Sequence, residues 1–437
     1  MPHADELIIA RTDFDHSLRQ LLTHSERFAT GSLARSASAR GCEWIVEQLG
    51  VTDALPTGDR LPLITDWVVV SVPADRQSRS ASFWREQLRP LPAQTLIALV
   101  VGLNDDRSGW QGWVIRGDDE RPLAGFRLVG GDYLVTRRSG ESTEASSRDS
   151  ERWSRLRGAL GDAVLQSLAD WHVMIIGASR TGSIVARELA AVGIGKLTLV
   201  DPDRLEPHNL DATVGGDLAH LGRPKVESLA EQLIRFRDDL AVTGLPWTAT
   251  DRRVLERARD TQMLVTCVDQ GVPVLLAAKL ANAWNKIHLD IGTGVQRVLR
   301  DEAPGSSGAA GNDLRIAADV RLFFPHEACA RCVGGIADLE NVELDLRLPP
   351  GVTPLRAARD WRTERAGSLV TINAIAASVG VQKLLDTLTG HLTHSHWTRL
   401  EYRQGEGLRV DDGPVEGAVG CAICHAQGVD RKHLESR

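Results

Sequence analysis

The chain has 437 residues, of which 42% are hydrophobic and 25% are charged, with a net charge of −7. This length accommodates two or three domains with complete cores. The acidic balance, with 51 scattered lysine and arginine residues, argues against a nucleic-acid-binding protein. Apolar runs such as residues 96–103 are too short to span a bilayer, and the N-terminus lacks the pattern of a signal peptide. Six cysteines, four of them in C-x-x-C pairs, favour metal binding over disulfides, so we expect a cytoplasmic protein.

Residues 1–138 are predicted to form a first, α+β domain. Its sequence pattern favours two helices followed by three strands. The predicted helices cover residues 13–22 and 42–49, and the predicted strands cover residues 67–72, 95–102 and 110–116. The turn-rich sequence LNDDRSG separates the last two strands, which predicts a hairpin.

The segment VSVPADRQSRSASF of this domain resembles the zinc-binding motif of JAB/MPN proteases, which cut ubiquitin-like proteins from their conjugates. Val70 and Val72 stand where that family has histidines, Ser80 falls on its serine, and Phe83 replaces its aspartate. Glu26 is the candidate for the upstream glutamate. Because valine and phenylalanine cannot ligate zinc, the resemblance implies a degenerate domain without a catalytic metal. An unrelated α+β domain is the alternative.

A polar, small-residue-rich segment, SGESTEASSRDSE at residues 139–151, predicts a linker to a second domain at residues 152–437. A second stretch of low complexity, DEAPGSSGAAGN at residues 301–312, lies inside the second domain. Long irregular loops within compact domains are usually functional or disordered, so this one is predicted to lie near a site.

The second domain opens with a strand, a glycine turn, a helix and a second strand. An apolar run at residues 173–176 stops at Gly177, and a second apolar run at residues 197–200 ends at Asp201. Such a βαβ unit places a phosphate on a helix N-terminus and a ribose on a carboxylate. The middle glycine of the G-x-G-x-x-G fingerprint is Ser179 here, which crowds the approach of a pyrophosphate. Taken alone, the pattern also fits an NAD-dependent oxidoreductase.

The chain from Arg152 to about Cys424 resembles the ThiF/MoeB-type adenylyltransferases of the ubiquitin-activating superfamily. The similar segments follow the family's order: RWSR at 152–155, GASRTG at 177–182, Asp201-x-Asp203, Asn209-Leu210, GRPK at 222–225 and CVDQ at 267–270. The resemblance implies a doubly wound, mostly parallel α/β sheet of the Rossmann type with a zinc-clamped C-terminal part. It covers well over half of the chain, and its motifs are specific as a set.

The resemblance also implies roles for individual residues. ATP would contact the glycine loop and the polar residues that follow it, namely Gly177, Ser179, Arg180, Gly182, Asp201, Asp203, Asn209 and Lys225. Asp201 would accept the ribose hydroxyls, Lys225 would bind triphosphate oxygens, and Asp269 would hold Mg²⁺. Arg155 resembles an arginine that family members insert into the nucleotide site of a neighbouring subunit. The implied catalytic set is therefore Arg155, Lys225 and Asp269 in a homodimer.

The chain departs from the family pattern after Asn209. The family continues N-L-x-R-Q, whereas this chain has Ala212 at the arginine position and Thr213 at the glutamine position. Arg180, in the glycine loop, could supply the lost positive charge, or it could point into solvent. Loss of one phosphate clamp lowers the rate by a factor of about 10²–10³. Weakened catalysis or an altered substrate therefore stays open.

The two C-x-x-C pairs predict a structural zinc site. Four thiolates with this spacing suit tetrahedral zinc, and the resembling family carries a zinc at these places. The ligands would be Cys329, Cys332, Cys421 and Cys424, with redox dithiols or unpaired thiols as the alternatives. Cys267 is predicted to be a packed core thiol. No cysteine lies between Cys332 and Cys421, where thioester-forming family members carry one, so the acyl-adenylate would be the activated product.

We therefore expect an enzyme in which the C-terminal carboxylate of a ubiquitin-like protein attacks the α-phosphate of ATP, giving acyl-AMP and pyrophosphate. A short ribosomal peptide is the alternative acyl donor. A second alternative is a non-catalytic ThiF-like protein that binds a ubiquitin-like partner, which Ser179, Ala212 and the lost metalloprotease ligands favour. An NAD-dependent oxidoreductase leaves the GRPK segment and the cysteine pairs unexplained.

Overall fold

The computed structural model describes most of the chain from residue 151 onward and parts of the region before it. The described residues are 4–10, 28–38, 41–52, 66–71, 81–88, 94–101, 110–123, 125–129, 137–138, 151–211, 213–214, 216–299, 312–347, 369–403 and 406–424. They fall into two compact units, one built mainly on the residues before 147 and the other mainly on those after it. Among the described helices, none is long and apolar enough to cross a membrane.

The first unit contains a nine-stranded mixed sheet and one described helix. Its elements are β1 Ala4–Ala10, β2 Phe28–Ser38, β3 Gly41–Thr52, β4 Asp66–Ser71, α1 Ala81–Leu88, β5 Leu96–Val101, β6 Trp110–Arg116, β7 Asp119–Pro122, β8 Gly125–Val129 and β9 Arg137–Arg138. The strand order is β7-β6-β5-β4-β2-β3-β1-β8-β9. The three predicted strands are confirmed as β4, β5 and β6, and the predicted hairpin is confirmed by the antiparallel pairing of β5 with β6. The predicted helix at residues 13–22 lies outside the described residues.

The helix predicted at residues 42–49 is wrong, because this segment belongs to strand β3. Trp44, Val46 and Leu49 are its buried apolar residues. The pairing of β2 with β3 shifts register between Ser32 and Leu33, where Gln48 and Val46 are the successive partners on β3. The extra residue, Glu47, forms a β-bulge that changes the phase of the inward-facing side chains. The resulting spacing of three from Val46 to Leu49 imitates a helical pattern.

The first sheet buries apolar side chains on both faces. One face carries a cluster that includes Trp44 and Val70. On the other face, Val69 and Ala98 of the sheet pack in a cluster with Trp84, which belongs to helix α1. Val70, at a position of the predicted degenerate metal motif, is therefore part of the core. Phe83 packs its ring edge against Trp84, with the ring centroids 5.1 Å apart. The other residues of that motif, Glu26, Val72 and Ser80, lie outside the described residues.

The second unit contains an eight-stranded sheet with helices on both faces. A 3₁₀ turn at Glu151–Trp153 precedes its elements, which are α2 Ser154–Asp170, β10 His172–Ile176, α3 Arg180–Val192, β11 Lys196–Val200, α4 Lys225–Phe236, β12 Ala241–Leu245, α5 Arg252–Ala258, β13 Met263–Thr266, α6 Gly271–Ala283, β14 Ile287–Leu299, β15 Asn312–Phe323, α7 Leu339–Arg347, α8 Val370–Leu388, β16 His396–Arg403 and β17 Gly407–Pro414. The loop predicted at residues 301–312 lies outside the described residues, apart from Asn312.

The strand order of this sheet is β12-β11-β10-β13-β14-β15-β16-β17. The first five strands are parallel, and the last three extend the sheet in antiparallel pairings. The predicted doubly wound, mostly parallel fold is thus confirmed. The chain runs from β10 outward to β12 and then returns to place β13 on the other side of β10. The loops after β10 and β13 therefore diverge, and such a switch point forms a crevice at the carboxyl ends of the strands.

Polar contacts join the helices of this unit. Arg237, which is fully buried, donates hydrogen bonds to the carbonyl oxygens of Ala190 and Ile194 at the end of α3. A cation at the carboxyl end of a helix satisfies carbonyl groups that lack helical partners. At the other face of α3, Ser378 of α8 donates to the Glu188 carboxylate over 2.7 Å. Eleven of the 19 residues of α8 are buried.

Candidate nucleotide site and metal centre

The glycine loop lies between β10 and α3 at the switch point. Gly177 has a φ of +93°, and a Cβ atom added there would lie 2.5 Å from the carbonyl oxygen of Cys267. A Cβ on Gly182 would lie 1.8 Å from the carbonyl oxygen of Gly177. Both positions therefore exclude every residue with a side chain. Their close contacts set the start of α3 directly against the end of β10.

Ser179 is the residue immediately before helix α3, and its side chain makes no capping hydrogen bond. Its carbonyl oxygen accepts a hydrogen bond from the amide of Ser183 over 2.8 Å. The amide groups in the first turn of an α-helix lack helical partners and can bind a phosphate group. The loop thus has the geometry predicted for it, with a serine at the position where the fingerprint has a glycine.

Asp201 is buried at the end of β11 and is bound by the glycine loop. One carboxylate oxygen accepts a hydrogen bond from the Ala178 amide over 2.9 Å, and the other accepts from the Asp203 amide over 3.0 Å. Burial raises the pKa of Asp201, and the positive charge of Lys225 opposes this shift. A carboxylate has about four lone-pair sites, so two backbone bonds leave capacity for ribose hydroxyls.

Lys225 begins helix α4, and its side chain is only 7% exposed. Its ammonium lies 2.9 Å from a carboxylate oxygen of Asp203, and its amide donates to the carbonyl oxygen of Asp203 over 3.0 Å. Two predicted site residues that are 22 positions apart are therefore in direct contact. A point charge held at this edge of the sheet can neutralise triphosphate oxygens.

Asn209 ends the 3₁₀ turn Pro207–Asn209, and Arg180 contacts the same turn. Asn209 is buried, and its side-chain oxygen accepts a hydrogen bond from the Glu206 amide over 3.0 Å. The amide nitrogen of its side chain is the group suited to a phosphate. Arg180 donates to the carbonyl oxygen of His208 over 3.3 Å and lies 4.0 Å from Asp211. Its guanidinium is directed at this turn, and Ala212 lies outside the described residues.

Asp269 follows strand β13 and precedes helix α6 on the other side of the switch point. Its side chain is exposed. Cys267, two residues earlier, has a thiol whose pKa is raised by desolvation and by the charge of Asp290. A thiol that stays protonated is a poor nucleophile, which agrees with the predicted packing role.

A buried polar network that the sequence pattern does not indicate begins just before Asp269. Thr266 donates its hydroxyl proton to the Asp290 carboxylate over 2.6 Å, and the same hydroxyl oxygen lies 2.9 Å from Nε2 of His288. Because Thr266 has only one hydroxyl proton, Nε2 of His288 must be the donor in that second contact. Arg321 binds the other oxygen of Asp290 over 2.9 Å. These side chains come from three adjacent strands, and no short sequence motif joins them.

Arg155 lies exposed near the start of helix α2. Its neighbour Arg152 donates to the carbonyl oxygen of Phe236 over 3.1 Å and lies 3.8 Å from Asp238. The RWSR segment is therefore attached to the end of α4 through Arg152, while the Arg155 side chain faces solvent.

The four cysteines of the C-x-x-C pairs converge as predicted. The Sγ atom of Cys329 lies 3.7 Å from that of Cys332 and 3.8 Å from that of Cys421, and Cys332 lies 3.4 Å from Cys424. All four sulfur atoms lie within 4.8 Å of one another. Tetrahedral zinc with Zn–S bonds of about 2.3 Å places its sulfur ligands about 3.8 Å apart. The cluster therefore fits a structural zinc ion.

The thiol environment also suits a metal. The hydrogen bond between Cys329 and Cys424 is the main cause of two opposite shifts. It lowers the pKa of Cys329 to about 5, and it raises the pKa of Cys424. Zinc binds the thiolate form of cysteine, so the thiols of the cluster would release protons when a metal ion binds.

Comparison with known proteins supports the same family. The ThiF family model matches residues 153–411. The chain is 30% identical over 195 residues to the molybdopterin-synthase adenylyltransferase of Escherichia coli K12, spanning 44% of this chain and 70% of that protein. It is 29% identical over 127 residues to the sulfur carrier protein ThiS adenylyltransferase of Escherichia coli K12, spanning 28% of this chain and 50% of that protein. The solved structure of E. coli MccB with ATP is similar at 18% identity and a TM-score of 0.44, over 63% of this chain and 75% of that chain.

The family model and the two adenylyltransferases of Escherichia coli K12 define the class of the protein, which is that of the ATP-dependent adenylyltransferases. The family model covers more than half of the 437 residues, and the chain belongs to the ThiF family.

Proposed function

We propose that this protein adenylates the C-terminal carboxylate of a ubiquitin-like protein. The observation that carries the proposal is the joining of three separate sequence segments at the switch point. The glycine loop binds Asp201 through the Ala178 amide, and Asp203 binds Lys225 over 2.9 Å. These groups can hold a ribose and a triphosphate at the same edge of the sheet.

In the proposed reaction, an oxygen of the acyl carboxylate attacks the α-phosphorus of ATP. The bond from that phosphorus to the bridging oxygen breaks, and the products are acyl-AMP and pyrophosphate. Lys225 neutralises charge on the triphosphate, and Asp269 would hold the Mg²⁺ ion that shields the leaving pyrophosphate. The enzyme contributes position and charge, and it forms no covalent bond to either substrate.

The nature of the acyl donor is proposed from the relatives. Two of them are named for molybdopterin synthase and for the sulfur carrier protein ThiS. The absence of cysteine between Cys332 and Cys421 favours release of the acyl-adenylate without an enzyme thioester. A short peptide with a free carboxylate is the alternative donor.

We further propose a homodimer in which Arg155 of one subunit approaches the nucleotide of the other. Its exposed position near the start of α2 supports this role, because an arginine that serves a neighbouring site must be free of its own core.

The domain limits proposed are 1–138 for the first domain, 139–151 for the linker and 152–437 for the adenylation domain. The first domain is proposed to be JAB/MPN-like without a catalytic metal, and the buried Val70 supports this.

A non-catalytic protein that binds a ubiquitin-like partner is the second candidate, favoured by Ser179 and Ala212. Exchange of labelled pyrophosphate into ATP separates the two candidates. We expect exchange that depends on a protein or peptide with a free carboxylate and that disappears when the carboxylate is amidated. ATP·Mg²⁺ binding without exchange for any donor would assign the chain to the non-catalytic class. Tighter binding of NAD than of ATP·Mg²⁺ would overturn both.

A further inference from the structure

Asp269, the proposed Mg²⁺ ligand, belongs to the short loop 267–270 between β13 and α6. Its side chain is exposed, so the backbone of this loop determines where the carboxylate lies. At the start of the loop, the Cys267 amide donates a hydrogen bond to the carbonyl oxygen of Ile176 over 2.9 Å. The loop therefore adjoins the glycine turn, and its shape decides whether Asp269 is directed at the same crevice.

Thr266 is the last residue before this loop, and its hydroxyl group is fixed by two neighbours. It donates to the Asp290 carboxylate over 2.6 Å and accepts from Nε2 of His288 over 2.9 Å. The Thr266 side chain is fully buried, so water does not compete for these bonds. A hydroxyl that both donates and accepts has a defined orientation. Asp290 thus holds the residue from which the Asp269 loop starts.

Asp290 is held in turn by Arg321 of β15. Nη1 of Arg321 donates to Asp290 over 2.9 Å, and Nη2 lies 3.1 Å from a carboxylate oxygen of Asp319. Buried charges are stable only when they are paired and hydrogen-bonded, so Asp290 and Arg321 depend on each other. A Cβ added to Gly335 would lie 3.2 Å from Nη1 of Arg321. The backbone of Gly335 therefore packs closely on the guanidinium.

The end of the Asp269 loop contacts the same segment of the chain. A Cβ added to Gly271, which begins α6, would lie 3.0 Å from Cγ2 of Ile336 and 2.7 Å from Cγ2 of Val342. The amide of Gly335 donates to the carbonyl oxygen of Ala330, within the first C-x-x-C pair, over 2.8 Å. The segment that follows this cysteine pair thus contacts α6 directly and Asp290 through Arg321.

We propose that Asp290 is a positioning residue for adenylation. It fixes Thr266, and through Thr266 it holds the Asp269 loop in the conformation that binds Mg²⁺. Asp290 is buried and both of its carboxylate oxygens have protein partners, so it acts through Thr266 and not as a second metal ligand. The inference rests on the proposed function, in which Asp269 holds the metal. Groups that orient a metal ligand typically contribute about 10–100-fold in metal affinity.

Substitution of Thr266 tests the proposal without removing a buried charge. Thr266→Val deletes the hydroxyl group and keeps the shape of the side chain, whereas Thr266→Ser keeps the hydroxyl group. Calorimetric titration gives the ratio of the affinities for ATP·Mg²⁺ and for metal-free ATP. Because both forms of ATP bind only folded protein, a loss of stability cancels from this ratio. We expect Thr266→Val to lower the ratio about tenfold and Thr266→Ser to keep it.

Thr198→Val is the matched control. The Thr198 side chain is also fully buried, and its hydroxyl oxygen lies 2.8 Å from Nε2 of His172. This pair has the same chemistry as Thr266 and His288 but joins β11 to the start of β10. We expect Thr198→Val to keep the wild-type ratio. A ratio that Thr266→Val leaves unchanged, or that Thr198→Val lowers equally, would overturn the inference while leaving the proposed function intact.

A double variant tests whether Thr266 acts through Asp269. Asp269→Ala should bring the affinity ratio close to one, and adding Thr266→Val should lower it no further. A further decrease would show that Thr266 acts by another route and would reject the proposal. A wild-type ratio of one would instead overturn the magnesium role of Asp269, and this inference with it.

Hydrogen exchange of the nucleotide-free protein tests the structural step independently of ATP. We expect the amides of residues 267–270 to exchange faster in Thr266→Val than in the wild type, in Thr266→Ser and in Thr198→Val, because the start of the loop is no longer held. Equal exchange of this segment in all four proteins would show that the hydroxyl group of Thr266 does not order the loop, and the proposal would fail.

Discussion

The ammonium group of Lys225 lies 2.9 Å from the carboxylate of Asp203, although the two residues are 22 positions apart in the chain. The Lys225 side chain is nearly fully buried, whereas that of Asp203 is 66% exposed. A lysine in this position is oriented by its partner and still close to the mouth of the crevice. An incoming triphosphate would therefore meet a cation that is already positioned.

Replacing Lys225 with alanine should weaken ATP·Mg²⁺ binding about tenfold to hundredfold, because a charge-assisted contact to the phosphates is lost. Calorimetric titration measures the change directly. Lys196→Ala is the matched control, since Lys196 lies at the amino end of β11, whereas the proposed nucleotide site lies at the carboxyl ends of the strands. Equal affinities for the wild type and Lys225→Ala would remove this lysine from the nucleotide site.

Replacing Asp269 with alanine should abolish pyrophosphate exchange, because the proposed Mg²⁺ ligand is removed. Asp238→Ala provides a control, since its side chain is 94% exposed and lies at the end of α4. We expect Asp238→Ala to keep the wild-type exchange rate to within a few-fold. Exchange by Asp269→Ala at the wild-type rate would exclude a metal-binding role for this acid.

The cysteine cluster should hold one zinc ion per chain. Cys421→Ser should release the metal and lower the midpoint of thermal unfolding, because the remaining three sulfur atoms no longer complete a tetrahedral site. Cys267→Ala should keep the metal, since Cys267 lies outside the cluster. Elemental analysis of the purified protein checks both expectations, and a zinc content near zero in the wild type would contradict them.

Gly182→Ala should be among the most destabilising substitutions in the chain, with a loss of about 3 kcal/mol or more. The added Cβ would lie 1.8 Å from the Gly177 carbonyl oxygen, and only a shift of backbone relieves that contact. Gly158→Ala is the comparison, because a Cβ there has no atom within 4 Å. On an exposed helix this change should raise the free energy of unfolding by about 0.5–1 kcal/mol. Urea denaturation gives both values.

His288 should make the second unit sensitive to acid. Burial lowers the pKa of His288 to about 4, and Nδ1 of its buried ring has no hydrogen-bond partner among the described residues. Between the ordinary pKa of about 6.5 and the lowered value, the unfolded chain binds a proton that the folded chain does not. The free energy of unfolding should therefore fall by about 2 kcal/mol from pH 7 to pH 5 on account of this group.

His288→Gln isolates this contribution, because glutamine does not titrate. Urea denaturation at several pH values should show a smaller loss on acidification for His288→Gln than for the wild type. His394→Gln, which removes a histidine at an exposed position, is the control for the substitution itself. Identical pH profiles for the wild type and His288→Gln would show that His288 is not the sensitive group.

Local patterns were sufficient to predict the centre of the second unit. The buried run of β10, the glycine turn and the acid that ends β11 follow each other directly in sequence, so their geometry is determined by neighbouring residues. The paired spacing of the C-x-x-C segments likewise predicted the cysteine cluster, because few structures other than a metal site use two such pairs.

Features that depend on distant residues could not be predicted in this way. The β-bulge opposite Ser32 and Leu33 changes the phase of β3, and its register depends on the partner strand. The contact of Thr266 with Asp290 joins two residues that are 24 positions apart in the chain. Taken alone, each of them resembles an ordinary polar residue of a strand. The contact between Lys225 and Asp203 was not predicted either, because the family resemblance assigns both side chains to the nucleotide.

The contact between Cys329 and Cys421 joins positions that are 92 residues apart. The intervening chain includes α8 and the two terminal strands of the sheet, so a shared metal ion would close them into a ring. A backbone cut inside that ring would not release a fragment, because the two new ends would stay fastened through the four sulfur atoms. The integrity of the C-terminal third of the molecule would then depend on metal supply as much as on its covalent continuity.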